Sequence, residues 1–333
     1  MDLSKIGKTA AENDSVQRKI VKGRVLQYDA DFACYEVSDL EEPVTKSFQR
    51  LLDHIEMKRA MVGAERVNAF ITLGEKSGRE DMATVKEYQE NRDPDKPIKV
   101  RVRELRHMLA NFEATPTITP VIGLNYEADD LMCMYQSANL DNSILMSGDK
   151  DLWMVQGQHA DVRTGRTWLV EGYESTRYKE VGNVKPKLVG TGYSWFWHQM
   201  IMGDTADNIP GLPKIHNSLL DVYTPLKSGK PRKDGLAQCG EAKAVAMLLN
   251  ARDCKTAAKR VYDAYWRTYG GEAMERFIEQ AYLLWMQRDD NPWDVLYYMR
   301  DNAGLKLSPS LRQIAVIGEF KERKLTRQRL KES

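Results

Sequence analysis

The chain has 333 residues, of which 42% are hydrophobic and 29% charged, so it is long enough to bury the core of one large or two small soluble domains. Its formal net charge is +1, which excludes a uniformly basic protein, so that nucleic acid would have to bind to a local basic patch. The four cysteines and five histidines lack the spacing of zinc or redox motifs, which favours packing or surface roles in a reducing cytoplasm.

Short apolar runs alternate with helical patterns through the first 200 residues, after a polar N-terminal arm at 1–23. Strands are expected at Val25–Tyr28, Arg66–Thr72, Val121–Gly123 and Ser143–Ser147, and an amphipathic helix follows Pro43. This alternation predicts the α/β fold class: a mostly parallel twisted central sheet flanked by helices, in a domain spanning residues 24–200. No apolar signal core or membrane-length run is present, so we expect a soluble cytoplasmic protein.

Residues 79–112 differ in character from the segments around them. They are dense in both signs of charge and poor in large apolar side chains. Two interpretations stay open: a solvated helix pair, or an electropositive arch over a polyanion.

The second half, residues 201–320, is expected to be mainly helical. An insertion with a flexible basic loop is expected at 213–238. A basic tail, expected to fray, completes the chain at 321–333.

Carboxylates stand at the boundaries of several predicted elements, at Asp29, Glu127, Asp129, Asp130, Asp149, Asp151, Asp204 and Asp207. The carboxyl ends of parallel strands converge on one crevice, which would bring these groups together. Each one alone has a structural explanation at a helix start. Together they repel, at about 4 kcal/mol per pair at 4 Å and an effective dielectric near 20. A cation would relieve this repulsion, and an all-oxygen ligand set points to Mg²⁺ or Mn²⁺ rather than zinc.

Several carboxylates around two divalent ions suit in-line displacement at phosphorus. A Walker-type glycine-rich loop is absent, which argues against nucleotide hydrolysis.

Three motifs, Glu127–Asp130, Gly148–Asp151 and Gly203–Gly211, resemble the signature of the flap-endonuclease and 5′→3′ exonuclease family, with Asp29 on the first strand. The resemblance covers most of residues 24–300 and is greatest to the stand-alone exonucleases of tailed bacteriophages. It implies a helical arch, a helix–three-turn–helix DNA-binding region and two metal positions. It implies Asp29, Glu127 and Asp129 as ligands of the first ion and Asp149, Asp151, Asp204 and Asp207 as ligands of the second, with Asp130 close to both.

The same resemblance implies roles for basic and aromatic residues. Arg79 matches the family's arch arginine, and Tyr88, Asn91 and Arg92 match a Tyr-Lys-x-Asn-Arg pattern. Arg79 and Arg92 are therefore candidate catalytic residues. Candidate DNA-binding residues are Tyr88, Lys96, Arg101, Arg103, Gly240 and Lys243.

The chain departs from the family pattern at three places. The pattern's lysine falls on Gln89, and we expect Lys86, on the same helical face, to take its catalytic place. The aspartate after the second strand is replaced by Gly74-Glu75, so Glu75 is a further candidate metal ligand. Gln238 stands where a glycine is expected and the following lysine comes one place late, which leaves a K⁺ ion there only as an alternative.

The expected function is a two-metal 5′→3′ exonuclease on duplex DNA that leaves 5′-phosphorylated products, with possible action on 5′ flaps and RNA–DNA hybrids. We expect it to act as a monomer.

One alternative is a catalytically weak, structure-specific DNA-binding relative, suggested by Gln89 and the missing aspartate. A calcium-type structural protein is disfavoured, because the acidic pairs lack the loop glycine and closing glutamate of such sites.

Overall fold

The computed structural model describes residues 18–332 apart from 94 and 182–183, so most of the predicted arm, residues 1–17, lies outside the described residues. A six-stranded sheet organises the first half of the chain. Its spatial order is β3 (Ile118–Gly123), β2 (Ala64–Thr72), β1 (Val21–Asp29), β4 (Ser143–Met146), β5 (Gly157–Ala160) and β6 (Thr167–Val170). Every neighbouring pair is parallel except β5–β6. The predicted α/β class with a mostly parallel sheet is confirmed.

The strands divide their side chains between two apolar cores, as the two-residue period of a strand requires. In β2, Val67, Ala69 and Ile71 enter one core, whereas Phe70 enters the other. The first core is closed by α1 (Ala30–Val37), α2 (Val44–Met61) and α4 (Pro97–Ala110). The second is closed by α5 (Ala128–Ala138) and the helical half of the chain.

The order of the strands reverses at β1, which pairs with β2 on one side and with β4 on the other. Tyr28 is in register with Met146, so Asp29 and the loop from Ser147 leave the sheet side by side. Such a switch point opens a crevice at the carboxyl ends of the strands, where ligands of α/β proteins bind.

The segment at 79–112 is not a helix pair. Its first helix, α3 (Arg79–Met82), has four residues, and α4 begins only at Pro97. The described residues between them form turns and loops. Helix α4 is not a solvated helix either, because it buries an apolar face of Val102, Leu105 and Leu109 against the sheet.

The rest of the chain is mainly helical, as predicted. The hairpin β7 (Tyr173–Val181) and β8 (Val184–Thr191) leads into α6 (Gly192–Met202), which is buried along nearly its whole length. The elements that follow are β9 (Gly203–Asp204), β10 (Ile209–Pro210), β11 (Lys214–His216), α7 (Asn217–Tyr223), β12 (Leu236–Gln238), α8 (Glu241–Leu248), α9 (Cys254–Tyr269), α10 (Ala273–Leu284), α11 (Asp294–Asp301) and α12 (Leu311–Glu332). The predicted insertion at 213–238 is therefore an antiparallel ribbon of β11 and β12 around α7.

The basic tail expected to fray from residue 321 is part of α12, a helix of 22 residues. Phe320 anchors this helix, since its side chain is fully buried and packs edge-on against the ring of Tyr126 at 5.6 Å between centroids. The sequence prediction was wrong here because the buried anchors of α12, Ile317 and Phe320, lie before residue 321, so the tail itself carries little apolar signal.

None of the helices among the described residues is both long and apolar enough to cross a membrane.

Candidate active site

A cavity of about 660 Å³ opens at the carboxyl-terminal edge of the sheet, next to the switch point. We call it the acidic cavity. Seven carboxylates line it: Asp29, Asp31, Glu127, Asp129, Asp149, Asp151 and Asp207. Six of these belong to the nine metal ligands predicted from the sequence. Parallel strand topology is what brings them together, because their positions span almost 180 residues of the chain.

Asp29 is fixed at the centre of the switch point. Its carboxylate caps α1 by accepting a hydrogen bond from the Phe32 amide at 2.8 Å, and it accepts another from the Ser147 hydroxyl at 2.6 Å. Burial and the nearby charge of Asp31 raise the pKa of Asp29 to about 7, against the lowering effect of Ser147. The fold therefore holds a carboxyl group at this position despite an electrostatic cost.

Asp31 is a cavity residue that the sequence reasoning missed. It accepts the Thr72 amide at 3.1 Å and forms an ion pair with Arg106 Nε at 2.8 Å. Burial raises its pKa, although the charge of Arg106 opposes the shift. The signal was present, since Asp31 follows Asp29 in an Asp-x-Asp pair, but only the first aspartate was assigned.

Asp129 and Asp149 extend the same group of negative charges. Burial raises the pKa of Asp129 well above its ordinary value, and the charges of Asp29 and Asp149 raise it further. Asp149 is exposed at the cavity mouth, where its carboxylate accepts the Asp151 amide at 2.9 Å. Asp29, Asp129 and Asp149 are thus neighbouring carboxylates whose mutual repulsion a cation would relieve.

Asp151 and Asp204 form a second acidic pair. The Asp151 carboxylate accepts hydrogen bonds from Trp195 at 3.2 Å and Gln199 at 2.7 Å, both on the buried helix α6. Burial and the Asp149 charge raise the pKa of Asp151. Burial acts in the same direction on Asp204, yet its hydrogen bond with Asp151 brings its pKa below the ordinary value. The two neighbouring carboxyl groups therefore shift each other's pKa in opposite directions, upward for Asp151 and downward for Asp204.

Lys150 lies beside this pair, with its ammonium 3.2 Å from Asp151 and 3.4 Å from Asp204. Asp204, predicted as a metal ligand, is not among the residues that line the acidic cavity. Its carboxylate neighbours two residues of the cavity lining, Asp151 and Lys150.

Glu127 and Asp207 were expected at different metal positions, but the structure joins them through the loop between α3 and α4. The Tyr88 hydroxyl lies 3.1 Å from Glu127 and 3.3 Å from Asp207. The Gln89 amide lies 3.3 Å from Glu127 and 2.9 Å from Asp207. Arg92 forms an ion pair with Asp207. Tyr88 and Arg92, expected at the DNA and at the reaction centre, here position two carboxylates.

Gln89 holds this arrangement in an uncommon backbone conformation, with φ of 57°. The backbone N–H of Gln89 donates a hydrogen bond to the backbone carbonyl of Asp207 at 3.0 Å. This bond fixes the loop to the turn before β10. A non-glycine residue with positive φ is uncommon and often found at functional sites. The position where the family pattern has a lysine is therefore inside the site, although the residue there is uncharged.

Asp130 and Arg79 lie behind the cavity and do not line it. Asp130 is fully buried and receives two hydrogen bonds from the Arg79 guanidinium, at 2.6 and 2.8 Å. Arg79, only 1% exposed, also donates to Glu127 at 2.6 Å and to the Trp285 carbonyl at 2.7 Å. This corrects the expected roles: Asp130 is the counter-ion of Arg79, and Arg79 is a positioning residue that orients Glu127.

Glu75 does not replace the family's aspartate. It pairs with Arg323 at 3.1 Å and Arg327 at 2.8 Å on α12, away from the residues that line the cavity. Gly74 explains why the aspartate is absent, because a Cβ atom there would stand 2.0 Å from the Leu124 carbonyl oxygen. The loop after β2 passes so close to Leu124, in the loop after β3, that position 74 has no room for a side chain.

Lys86 does not take the place of the family's lysine, since it is exposed and absent from the cavity lining. The helix assumed in placing it on the face of Gln89 is absent at this point of the chain. The cations that do line the cavity are Lys76, Arg92, Lys99, Arg106 and Lys150.

The other predicted DNA-binding residues lie outside the cavity lining. Lys96 and Arg103 are exposed, and Arg101 donates to the carbonyls of Asp39 and Glu42 at 2.7 and 2.9 Å. Gly240 and Lys243 lie at the start of α8, where the Lys243 amide donates to the Gly240 carbonyl at 3.0 Å. These residues therefore stay predictions for a duplex-binding surface rather than parts of the cavity.

The donor set fits a hard divalent cation in its chemistry, because it consists of carboxylate oxygens with unneutralised charge. Its present spacing does not close a ligand set: within 18–332, leaving out 94 and 182–183, no three His, Cys, Asp or Glu side chains are grouped so as to hold a metal ion. Glu127 and Asp207 are engaged by the loop instead. We therefore assign no ion positions.

No protein-family model and no curated protein matches the chain. Solved structures do match. A bacteriophage T5 5′-exonuclease with bound zinc ions is 16% identical, with 79% of this chain and all of that chain covered and a TM-score of 0.42. A bacteriophage T5 flap endonuclease in complex with DNA and metal ions is 13% identical over 78% of this chain and 99% of that one, also at a TM-score of 0.42. The chain is thus similar to structures from the flap-endonuclease and 5′→3′ exonuclease family that its acidic motifs resemble.

Proposed function

We propose that the protein is a metal-dependent nuclease that hydrolyses phosphodiester bonds of DNA from the 5′ end. The observation that carries this proposal is the convergence of seven carboxylates and five cationic side chains on one cavity at the sheet switch point. The acids supply oxygen ligands for divalent ions, and the cations that are not paired with these acids attract a phosphate backbone into the same space. A site lined only by acids or only by cations would not bind both the metal ions and the phosphate backbone.

Asp29, Asp129 and Asp149 are the carboxylates that would hold divalent ions, together with Asp151 and with Asp207 or Glu127. Bound Mg²⁺ or Mn²⁺ would lower the pKa of an attacking water and stabilise the leaving oxygen. Residues of the chain itself orient these carboxylates: Ser147 fixes Asp29, Gln199 and Trp195 fix Asp151, and Arg79 fixes Glu127.

The finer assignment is a 5′→3′ exonuclease on duplex DNA that leaves 5′-phosphorylated ends and also cleaves 5′ flaps and the RNA strand of RNA–DNA hybrids. It is supported by the order and spacing of the three acidic motifs and by the helical half beside the cavity. We expect the protein to act as a monomer.

A second candidate is a structure-specific DNA-binding protein with weak catalysis. The observation that favours it is the loop at Tyr88–Arg92, which engages Glu127 and Asp207 and places uncharged Gln89 at the position of the family's lysine. In this case DNA would bind without rapid turnover.

Digestion of 5′-labelled nicked, flapped and blunt duplexes separates the two candidates. We expect products with Mg²⁺ or Mn²⁺, no products with chelator, and loss of activity in Asp149→Asn. The exposed Asp141→Asn is the matched control and should cleave like the wild type. Binding without products under every metal condition would overturn the nuclease proposal in favour of the second candidate.

A further inference from the structure

The five cationic side chains that line the acidic cavity fall into two groups. Three of them have carboxylates of the site as partners: Arg92 with Asp207, Arg106 with Asp31, and Lys150 with Asp151 and Asp204. These three cations neutralise the acids of the site. Because their charge is already matched, they are poorly suited to bind an incoming anion as well.

The other two, Lys76 and Lys99, are held differently. The Lys76 ammonium pairs with Glu80 at 2.7 Å, but the Glu80 side chain is 55% exposed and does not line the cavity. The Lys99 ammonium lies 5.9 Å from the ring centroid of Tyr35. Within the part of the chain that the structure describes, neither lysine has an ion pair with a carboxylate of the cavity.

Aromatic rings place both ammonium groups at the cavity. Lys76 lies 5.9 Å from the ring centroid of Tyr88, the residue whose hydroxyl contacts Glu127. Tyr35 supports Lys99 in the same manner and also lines the cavity. A contact of this kind with an aromatic face is weak and leaves N–H donors available to a ligand.

We propose that Lys76 and Lys99 form a phosphate-binding subsite of the acidic cavity, which takes the phosphodiester backbone of a nucleic-acid strand. This inference rests on the proposed function and adds the residues that hold the substrate. Lysine binds phosphate as a point charge without fixed geometry, which suits a backbone that must advance after each cleavage. The weak, exposed pair with Glu80 is readily exchanged for a phosphate.

The subsite also accounts for the substitution at Gln89. A cation at that position would lie between Glu127 and Asp207, where Arg79 and Arg92 already supply positive charge. Lys76, in the loop after β2, brings an ammonium group to the same cavity from another element.

The test is binding of a fluorescein-labelled 5′-flapped duplex in EDTA, so that no turnover occurs. We expect Lys76→Gln and Lys99→Gln each to weaken binding about five- to tenfold at moderate salt. The slope of log K against log salt should decrease by about 0.7 to 0.9 for each lost phosphate contact. Lys76→Arg should restore most of the affinity, because it keeps the charge.

Exposed Lys46 on α2 is the matched control, and Lys46→Gln should bind like the wild type. Thermal melting of each variant establishes that it is folded. If folded Lys76→Gln and Lys99→Gln keep both the wild-type affinity and the wild-type salt slope, the subsite is wrong. If the wild type nevertheless cleaves the duplex when a divalent metal is added, the proposed nuclease function stands without the subsite. If the wild type neither binds nor cleaves, the nuclease function itself fails, and the subsite with it.

Discussion

Replacement of Asp29 by asparagine should stabilise the metal-free protein at neutral and alkaline pH. Burial and the charge of Asp31 raise the pKa of Asp29 from 3.8 to about 7. Asparagine keeps the oxygen that caps α1 through the Phe32 amide, and its amide group is able to donate to the Ser147 hydroxyl. The substitution therefore removes a buried charge without removing its hydrogen bonds.

The magnitude follows from linkage between protonation and folding. A raised carboxyl pKa means that the folded state binds the proton more tightly, so stability is lost as the pH rises from the unfolded pKa through the folded pKa. A shift of about 3 pKa units at 1.36 kcal/mol per unit corresponds to about 4 kcal/mol at pH 8. At pH 5 the same arithmetic leaves about 2 kcal/mol, and at pH 3 it leaves almost nothing.

Urea unfolding in EDTA at pH 8, pH 5 and pH 3 would measure this effect. Asp29→Asn should unfold at higher urea than the wild type at pH 8, and the difference should shrink as the pH falls. The exposed Asp141→Asn should show no such pH-dependent gain. A gain of equal size at all three pH values, or a loss of stability at pH 8, would refute the reasoning that burial and carboxylate repulsion act on Asp29.

Three further substitutions test the structural assignments. Arg79→Met should lower the free energy of unfolding by about 3–5 kcal/mol, because it leaves the fully buried Asp130 without its counter-ion. A loss below about 1 kcal/mol, measured by urea denaturation, would contradict the role of Arg79 as that counter-ion. Glu75→Gln should keep metal-dependent cleavage in the labelled-duplex assay, unlike Asp149→Asn, since its partners are on α12; loss of activity in a folded variant would return Glu75 to the site. Gly74→Ala should destabilise by about 1–3 kcal/mol through contact with the Leu124 carbonyl, whereas Gly271→Ala, with open space around it, should be neutral in thermal melting.

The sequence determined the framework of the site. Apolar runs bounded by turn residues predicted β1, β2, β3 and β4, because a buried parallel strand leaves a local signal in composition. The acids at the ends of those runs had to converge once the sheet was parallel, since the carboxyl ends of parallel strands share one edge. Six of the nine predicted ligands accordingly line one cavity.

The tertiary structure decided how the remaining residues are used. Glu75 and Asp130 carry the same charge as Asp149, but Glu75 meets two arginines of α12 and Asp130 meets Arg79. Partners from such distant positions leave no pattern in a single sequence. The choice of Lys76 and Lys99 rather than Lys86 at the cavity depends in the same way on the short α3 and the loop that follows it. Local sequence fixes which residues carry charge, whereas long-range packing fixes which cations at the cavity have no carboxylate of the cavity as a partner and are therefore available to a ligand.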